Sequence, residues 1–450
     1  MTGESATERT RRLAALDQAH IWHPFTPMQG WMEDDPLIVE RAEGCELIDT
    51  EGRRYLDGVS SLWVNVHGHG VGAIDAAIVD QLGRLAHSTF LGLTHPPAIE
   101  LAARLVALAP GRLERVFFSE NGAASVEVAL KMAYSYWRHR GEERPTFVRL
   151  ENAYHGDTIG AVSLGGIDRF HESYRPLLFA TAQIPSPYCY RCPLGLTYPS
   201  CEVKCAQDID ELIRTTTTGQ IAGFLAEPIQ GVGGFVTPPK EYFQIAVGIV
   251  RKYGGVFICD EVQTGFGRTG GKWWGCEQYG VEPEIMTMAK GIANGLPLSA
   301  CIATPAIADS LTKLTISTFG GNPVTSVAGK ATIEYIESHD LRANAETQGK
   351  RLRAGLERLK AKYPRTIGDV RGMGLMQGVE LVEDETRKDR SPNARATARL
   401  FEETKKRGLL IGKGGLYGNV LRISPPLIAT AADVDEAVEK LDESFTSIRA

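Results

Sequence analysis

No stretch of this 450-residue chain comes near the roughly 20 consecutive apolar residues that a membrane-spanning helix needs. The longest apolar runs, such as 245–250 and 256–259, are a fraction of that length, so no membrane partner is expected. Basic charge is also scarce. Lys and Arg number 49 against 55 Asp and Glu, a net charge of −6, which offers no sequence-wide attraction to a phosphate backbone and makes nucleic acid a poor partner. Residues 1–18 carry charge but no apolar core, so no secretory signal is visible and a cytoplasmic location is expected. Eight cysteines are too few to build a disulfide scaffold of this length. Internal repeats and low-complexity tracts are missing as well. What is abundant is glycine, 48 residues without a Gly-X-Y period, which marks many points of tight turning or close backbone approach. With 43% hydrophobic and 23% charged residues the chain has an ordinary globular composition and is long enough to bury a large core.

The sequence reads in three parts. Residues 1–70 hold short alternating stretches, 37–41 and 46–49, with a turn at Glu51-Gly52, the pattern of a small meander. Residues 71–330 alternate apolar strands with amphipathic helices. Strands are expected at 115–119, 146–150, 222–227, 255–260 and 285–289, and a helix at 124–140 with Val126, Ala129, Leu130, Ala133 and Trp137 on one stripe. Such alternation with buried strands means an α/β fold with a mostly parallel sheet. Residues 331–450 look α+β, entered through a helix at 322–337 that spans the boundary and followed by a helical segment at 345–362 and strands at 376–381 and 420–423.

Several central strands end in polar clusters, where open α/β sheets place their ligands. Ser119 runs into Glu120-Asn121-Gly122-Ala123-Ala124-Ser125 and then a helix. Small residues at a helix start let backbone N–H groups meet a phosphate, although a plain capped turn has the same look. Asp260 ends another hydrophobic strand, and a carboxylate there needs a cation or a hydrogen-bond donor. Lys290 ends the next apolar stretch; a lysine in such a pocket can have a lowered pKa and condense with an aldehyde, or simply pair with an acid. Pyridoxal phosphate needs an amine for its aldehyde, an acid for its ring nitrogen and a phosphate cradle, so the three together are far more specific than any one.

These residues, and above all the phrase DEVQTGFGRTG at 260–270 with AKGI at 289–292, resemble the class III (ω-amino-acid) aminotransferases over nearly the whole chain. The resemblance implies a fold-type I pyridoxal-phosphate transferase, with a large domain around a mostly parallel sheet and a small α+β domain drawn from both chain ends. It implies that Lys290 carries pyridoxal 5′-phosphate, that Asp260 keeps the ring nitrogen protonated, and that Gln263 lies near the ring hydroxyl. By the same likeness Asn121, Gly122 and Ala123 form the phosphate loop, Tyr154 stacks on the ring beside His155, and Glu227 is an active-site acid able to pair with an arginine. Arg422 matches the family's carboxylate arginine. Thr318 is similar to a residue that reaches the phosphate of a neighbouring subunit, which implies a homodimer, or a tetramer, with shared active sites.

Two branches of the family pull in different directions. The N-terminal half, with His20-Ile21-Trp22-His23-Pro24-Phe25-Thr26 and Trp63, resembles the biotin-pathway diaminopelargonate aminotransferases, which use S-adenosylmethionine as donor. The C-terminal half, with STFGGNP at 317–323 and GKGGLYGNVLRISPP at 412–426, resembles the alanine:glyoxylate and ω-amine:pyruvate branch. The second branch leads, giving amino transfer from an ω-amine or amino acid to a 2-oxo acid such as pyruvate. Phe25 and Trp63 would then wall the donor site. Lyases and decarboxylases on this fold keep the same lysine and aspartate, so the fold does not settle the reaction. Apart from this, Cys189, Cys192, Cys201 and Cys205 crowd a proline-rich loop. Structural zinc, two disulfides and four free thiols all suit that spacing, with zinc preferred.

Overall fold

The computed structural model describes residues 4–33 and 36–449. Its centre is a seven-stranded sheet that runs in the order Arg115–Ser119, Ser299–Ala303, Ile285–Met288, Val256–Asp260, Ile221–Ala226, Thr146–Leu150, Ala182–Ile184. All neighbours pair in parallel except Ser299–Ala303, which runs against both strands beside it. The strands Ile221–Ala226 and Val256–Asp260 are buried at every position, which is why they read as continuous apolar runs rather than alternating ones.

Helix Gly122–His139 covers one face of this sheet and buries Val126, Ala129, Leu130, Ala133 and Trp137, the stripe expected from its periodicity. It begins two residues earlier than the apolar pattern suggests because Asn121 caps it, its side chain accepting from Ala124 N at 2.9 Å. Burying each large side chain of that stripe contributes roughly 1.5–3 kcal/mol. Trp137 also donates Nε1–H to the Ala222 carbonyl at 2.9 Å, which ties the helix to the sheet.

Both chain ends meet in the remaining structure. Strands Val39–Glu43, Glu46–Asp49 and Arg54–Asp57 form a sheet that is completed by Leu409–Leu410, in parallel register with Leu56 and Asp57. A further antiparallel sheet joins Ile367–Met373, Met376–Asp384, Val420–Ile423 and Gly412–Gly414. Helices Leu341–Lys362, Ala394–Lys406 and Ala431–Arg449 pack around these strands. The first strand starts at Val39 rather than 37, at the residue that pairs with Asp49. Helix Ala6–His20 has no counterpart in the sequence reading: it buries no residue and so shows no apolar stripe, and a Ser5/Glu8 capping box marks its start. No helix among the described residues is long and apolar enough to cross a membrane.

Arg268 holds these parts together. Its side chain is buried, and it donates to the carbonyls of Leu375 and Pro425 at 3.1 and 2.5 Å and to Ser60 Oγ at 3.0 Å. Burial lowers its pKa to about 9, with Asp57 opposing the shift. Arg268→Met removes three buried hydrogen bonds and takes from the Pro425 carbonyl its donor, and is expected to cost roughly 3 kcal/mol, read as a lowered denaturation midpoint in urea.

Candidate active site

The polar ends of five strands converge at the carboxyl edge of the large sheet, on a cavity of about 360 Å³. Asn121, Gly122, Ala123, Tyr154, His155, Glu227, Asp260, Gln263 and Lys290 all line it, so most of the expected site residues are brought together.

Asp260 sits at the end of its strand, buried, with Oδ2 accepting from His155 Nδ1 at 2.7 Å and Oδ1 from Val262 N at 3.0 Å. His155, itself on the cavity wall, thus orients the Asp260 carboxylate. Lys290 follows strand Ile285–Met288 in a left-handed conformation, φ 47°, an outlier for a residue with a Cβ. Burial lowers the pKa of its amine; Asp260 and Glu227 oppose that shift and the charge of Arg422 adds to it. Glu227 is buried, and burial raises its pKa to about 7 even though its oxygens accept from Tyr154 N and Gly231 N at 3.0 and 2.8 Å. The Tyr154 phenol is pushed up to about 12 by burial and by Asp157, Glu227 and Asp260.

The cradle is built from closeness. A Cβ on Gly156 would lie 2.5 Å from Ala123 Cβ, and one on Gly122 would lie 3.0 Å from Val262 Cγ1. Backbone N–H groups at the start of helix Gly122–His139 therefore open onto the cavity instead of onto a side chain. Gln263 Oε1 is buried without a partner, an acceptor facing a missing donor such as a ring hydroxyl. A lysine amine, a carboxylate and a phosphate-sized cradle around one cavity are the outline of a pyridoxal-phosphate site, and the residues present fit that group.

Four expected residues are not on the cavity wall. Arg422 stands on strand Val420–Ile423, buried, with its guanidinium 4.5 Å over the ring of Trp63. It donates to the carbonyls of Gly231 and Lys413 at 3.3 and 2.9 Å, while its Nε has no partner. Burial lowers its pKa to about 10, Arg169 adds to that, and Glu227 opposes it. Trp63 is core as much as wall. It ends a run of four left-handed residues, Ser60 to Trp63, held by Asp57, which accepts from Ser61 N at 2.9 Å and from Ser61 Oγ at 2.8 Å. Phe25 is exposed and forms an aromatic cluster with Tyr154 and Phe170, ring centroids 5.3–6.4 Å apart. Thr318 is exposed on the loop before helix Pro323–Ser338 and does not reach the cavity of its own chain. One residue to which the sequence alone assigns no role is Glu120. It lines the cavity and accepts from Ser317 Oγ at 2.6 Å and Phe319 N at 3.1 Å, pinning the Thr318 loop beside the phosphate cradle. Nothing in the sequence connects positions almost two hundred residues apart.

The cysteine loop lies apart from this cavity, and its four thiols are free. Among the described residues the His, Cys, Asp and Glu ligand atoms drawn within 4.8 Å of one another are those of Cys259, Glu261 and Cys276, not those of the loop. The Glu261 carboxylate there is already satisfied by Thr264 Oγ1, Gly275 N and Cys276 N.

Fold and site together define a pyridoxal-phosphate-dependent transferase of the α/β kind. The chain belongs to the class-III aminotransferases, whose family profile matches residues 29–445. It is 40% identical over 453 residues to the adenosylmethionine-8-amino-7-oxononanoate aminotransferase of Geobacter sulfurreducens, covering 98% of each chain. It is 42% identical over 414 residues to the mitochondrial alanine–glyoxylate aminotransferase 2 homolog 2 of Arabidopsis thaliana, covering 92% of this chain and 83% of that one. In structure it is similar to an (S)-enantioselective omega-transaminase from Thermomicrobium roseum, with a TM-score of 0.92, 35% identity and full coverage of both chains.

Glu227 gives a pH-dependent signature. The folded chain keeps its proton up to about pH 7, against an ordinary value of 4.5, so the folded state binds more protons than the unfolded one between these limits. The resulting stability is fully present below the lower value and is lost as pH rises through the upper one. Urea denaturation of cofactor-free protein across this range is expected to show the decline, and Glu227→Gln to flatten it.

Proposed function

We propose that this aminotransferase moves an amino group from an ω-amine or amino-acid donor to a 2-oxo acid such as pyruvate. The observation that carries the reading is Arg422, a buried guanidinium with no carboxylate partner and a free Nε, close enough to Lys290 for its charge to lower that amine's pKa. A cation so placed suits a carboxylate next to the reacting carbon. Pyridoxal phosphate, when bound, supplies an aldehyde that takes up the amino group and a ring that draws electrons from the neighbouring carbon.

The chain's own residues do the rest. Lys290, lowered by burial, moves a proton to and from the carbon that bears the nitrogen. Asp260, oriented by His155, would hold the ring nitrogen protonated. The start of helix Gly122–His139 would receive the phosphate, and Gln263 Oε1 would accept from the ring hydroxyl. Glu227, close enough to Arg422 to favour its charged form, supplies that cation a counter-charge once it gives up its proton, as pH rises through about 7.

A second reading takes adenosylmethionine as donor and 8-amino-7-oxononanoate as acceptor, the pair in the name of the Geobacter relative. The exposed Trp22 and the cluster of Phe25, Tyr154 and Phe170 favour it, since aromatic faces attract a sulfonium. Against it, the Arg169 guanidinium lies over the Phe170 ring at 5.4 Å, where it repels a cation and attracts a carboxylate. Mixing the yellow holoenzyme with a panel of amines and watching the colour bleach separates the two: bleaching by several simple amines and amino acids supports the first reading, and bleaching by adenosylmethionine alone replaces it with the second. Arg422→Ala is expected to raise KM for 2-oxo acids about 10- to 100-fold while leaving the half-reaction of amines without a carboxylate unchanged.

The reading includes a homodimer with shared active sites. An apolar groove of about 750 Å³ lies beside the Thr318 loop, with Leu314 and Ile316 exposed on its rim, and Glu120 links that loop to the phosphate cradle. A second chain covering the groove would bring Thr318 toward a neighbouring cradle. Leu314→Asp with Ile316→Asp is expected to yield a monomer by light scattering, with weakened cofactor retention.

A further inference from the structure

The motif that the transaminase reading leaves unused is the four-cysteine loop. Its thiols lie 16 positions apart at most in sequence, and the fold turns all four toward one place: Cys189, Cys192, Cys201 and Cys205 border a single cavity of about 20 Å³, the room of one ion or one water. Apolar walls from Leu194, Leu196, Val203 and Pro239 enclose it. Two turns make the convergence. Gly195 N donates to the Cys192 carbonyl at 3.0 Å, closing the first knuckle, and Lys204 N donates to the Cys201 carbonyl at 3.0 Å, closing the second. Inside the second turn Glu202 and Val203 take left-handed conformations, φ 50° and 55°, which reverse the chain between Cys201 and Cys205. Burial and the nearness of the other three raise the Cys205 thiol to about 12, and Cys189 rises to about 11 for similar reasons.

We propose that these four cysteines form a structural tetrathiolate site for a soft divalent cation, zinc in particular, which locks the loop as a strap between the large sheet and the C-terminal sheet. Thiolates select zinc over the hard magnesium, calcium and manganese ions. Binding forms four metal–sulfur bonds in place of four S–H bonds and releases the protons to solvent, with no change of oxidation state. No three of the four sulfurs lie within 4.8 Å of one another, as thiolates about 2.3 Å from a shared ion would, so uptake draws the two knuckles together across the cavity.

What the strap touches gives the site its purpose. Tyr188 and Arg191 hydrogen-bond the buried Glu380 of strand Met376–Asp384, and Tyr190 donates to Glu385 at 2.6 Å. Glu380 also pairs with Arg371, whose Nε donates to the Gly234 carbonyl at 2.9 Å. Gly234 closes a tight turn on Gly231, whose carbonyl accepts from Arg422 and whose N–H donates to Glu227. A metal at the cysteines therefore fixes a hydrogen-bonded path that ends at the substrate arginine.

The test uses full-length holoenzyme expressed with added zinc and purified without chelator. Elemental analysis is expected to find about one zinc per chain, and cobalt exchanged for it to show the intense sulfur-to-metal charge-transfer band and visible bands of a tetrahedral thiolate site. Cys192→Ser and Cys205→Ser are expected to lose the metal, and Cys45→Ser, a buried thiol elsewhere in the fold, to keep it. Metal-free protein that gives no thiolate spectrum with cobalt overturns the proposal, as does metal retained in the Cys192→Ser chain or non-reduced peptides showing any of the four joined in disulfides. Should the loop variants fail to fold, the metal content and cobalt spectrum of the unaltered protein decide the matter. None of these readouts depends on which amine or keto acid the enzyme uses.

Discussion

A carboxylate carried into the interior on the end of a hydrophobic strand is the constraint around which this molecule is arranged. Asp260 is buried, and such a charge is tolerated only where donors and cations surround it. His155 and the backbone of Val262 supply two hydrogen bonds, and the amine of Lys290 feels its charge from the next strand. Glu227 brings a second buried acid to the same cavity, and the outcome is a raised Glu227 rather than two adjacent buried anions. The site is thus a balance of charges that none of the strands could hold alone.

Backbone conformations around the cavity follow from the same crowding. Lys290 and the run from Ser60 to Trp63 are left-handed without being glycine, and hydrogen bonds at Ser60 and Ser61 hold the run. Asp57 caps the run, and the Ser60 hydroxyl donates to the Ser424 carbonyl, two residues beyond Arg422. The N-terminal segment therefore positions Trp63 under the guanidinium that the C-terminal segment provides. Local strain of this sort costs of order 1–3 kcal/mol per residue and persists only where packing overdetermines it.

Legibility of the fold divided along physical lines. Strands buried on both faces and the amphipathic helix over them stood out because burial imposes apolar runs and a helical period. Strand Ser299–Ala303 did not, since it returns antiparallel without a crossover helix, and its residues are small. Helix Ala6–His20 was invisible because nothing on it is buried. In the site, residues carried on recognisable phrases, Asp260, Lys290 and the 121–123 turn, could be read directly. Glu120 and Phe170 could not, because their roles rest on contacts with distant segments.

By itself the sequence determined that this is an α/β enzyme with an acid and a lysine at strand ends, because strand burial and turn chemistry are local and leave a local pattern. Only the tertiary structure decided that Glu227 is raised by burial, that Arg422 rests on Trp63 with a donor to spare, that Thr318 does not reach its own cavity, and that four loop cysteines border one small void. Those properties belong to distances between segments far apart in the chain, and only folding sets such distances.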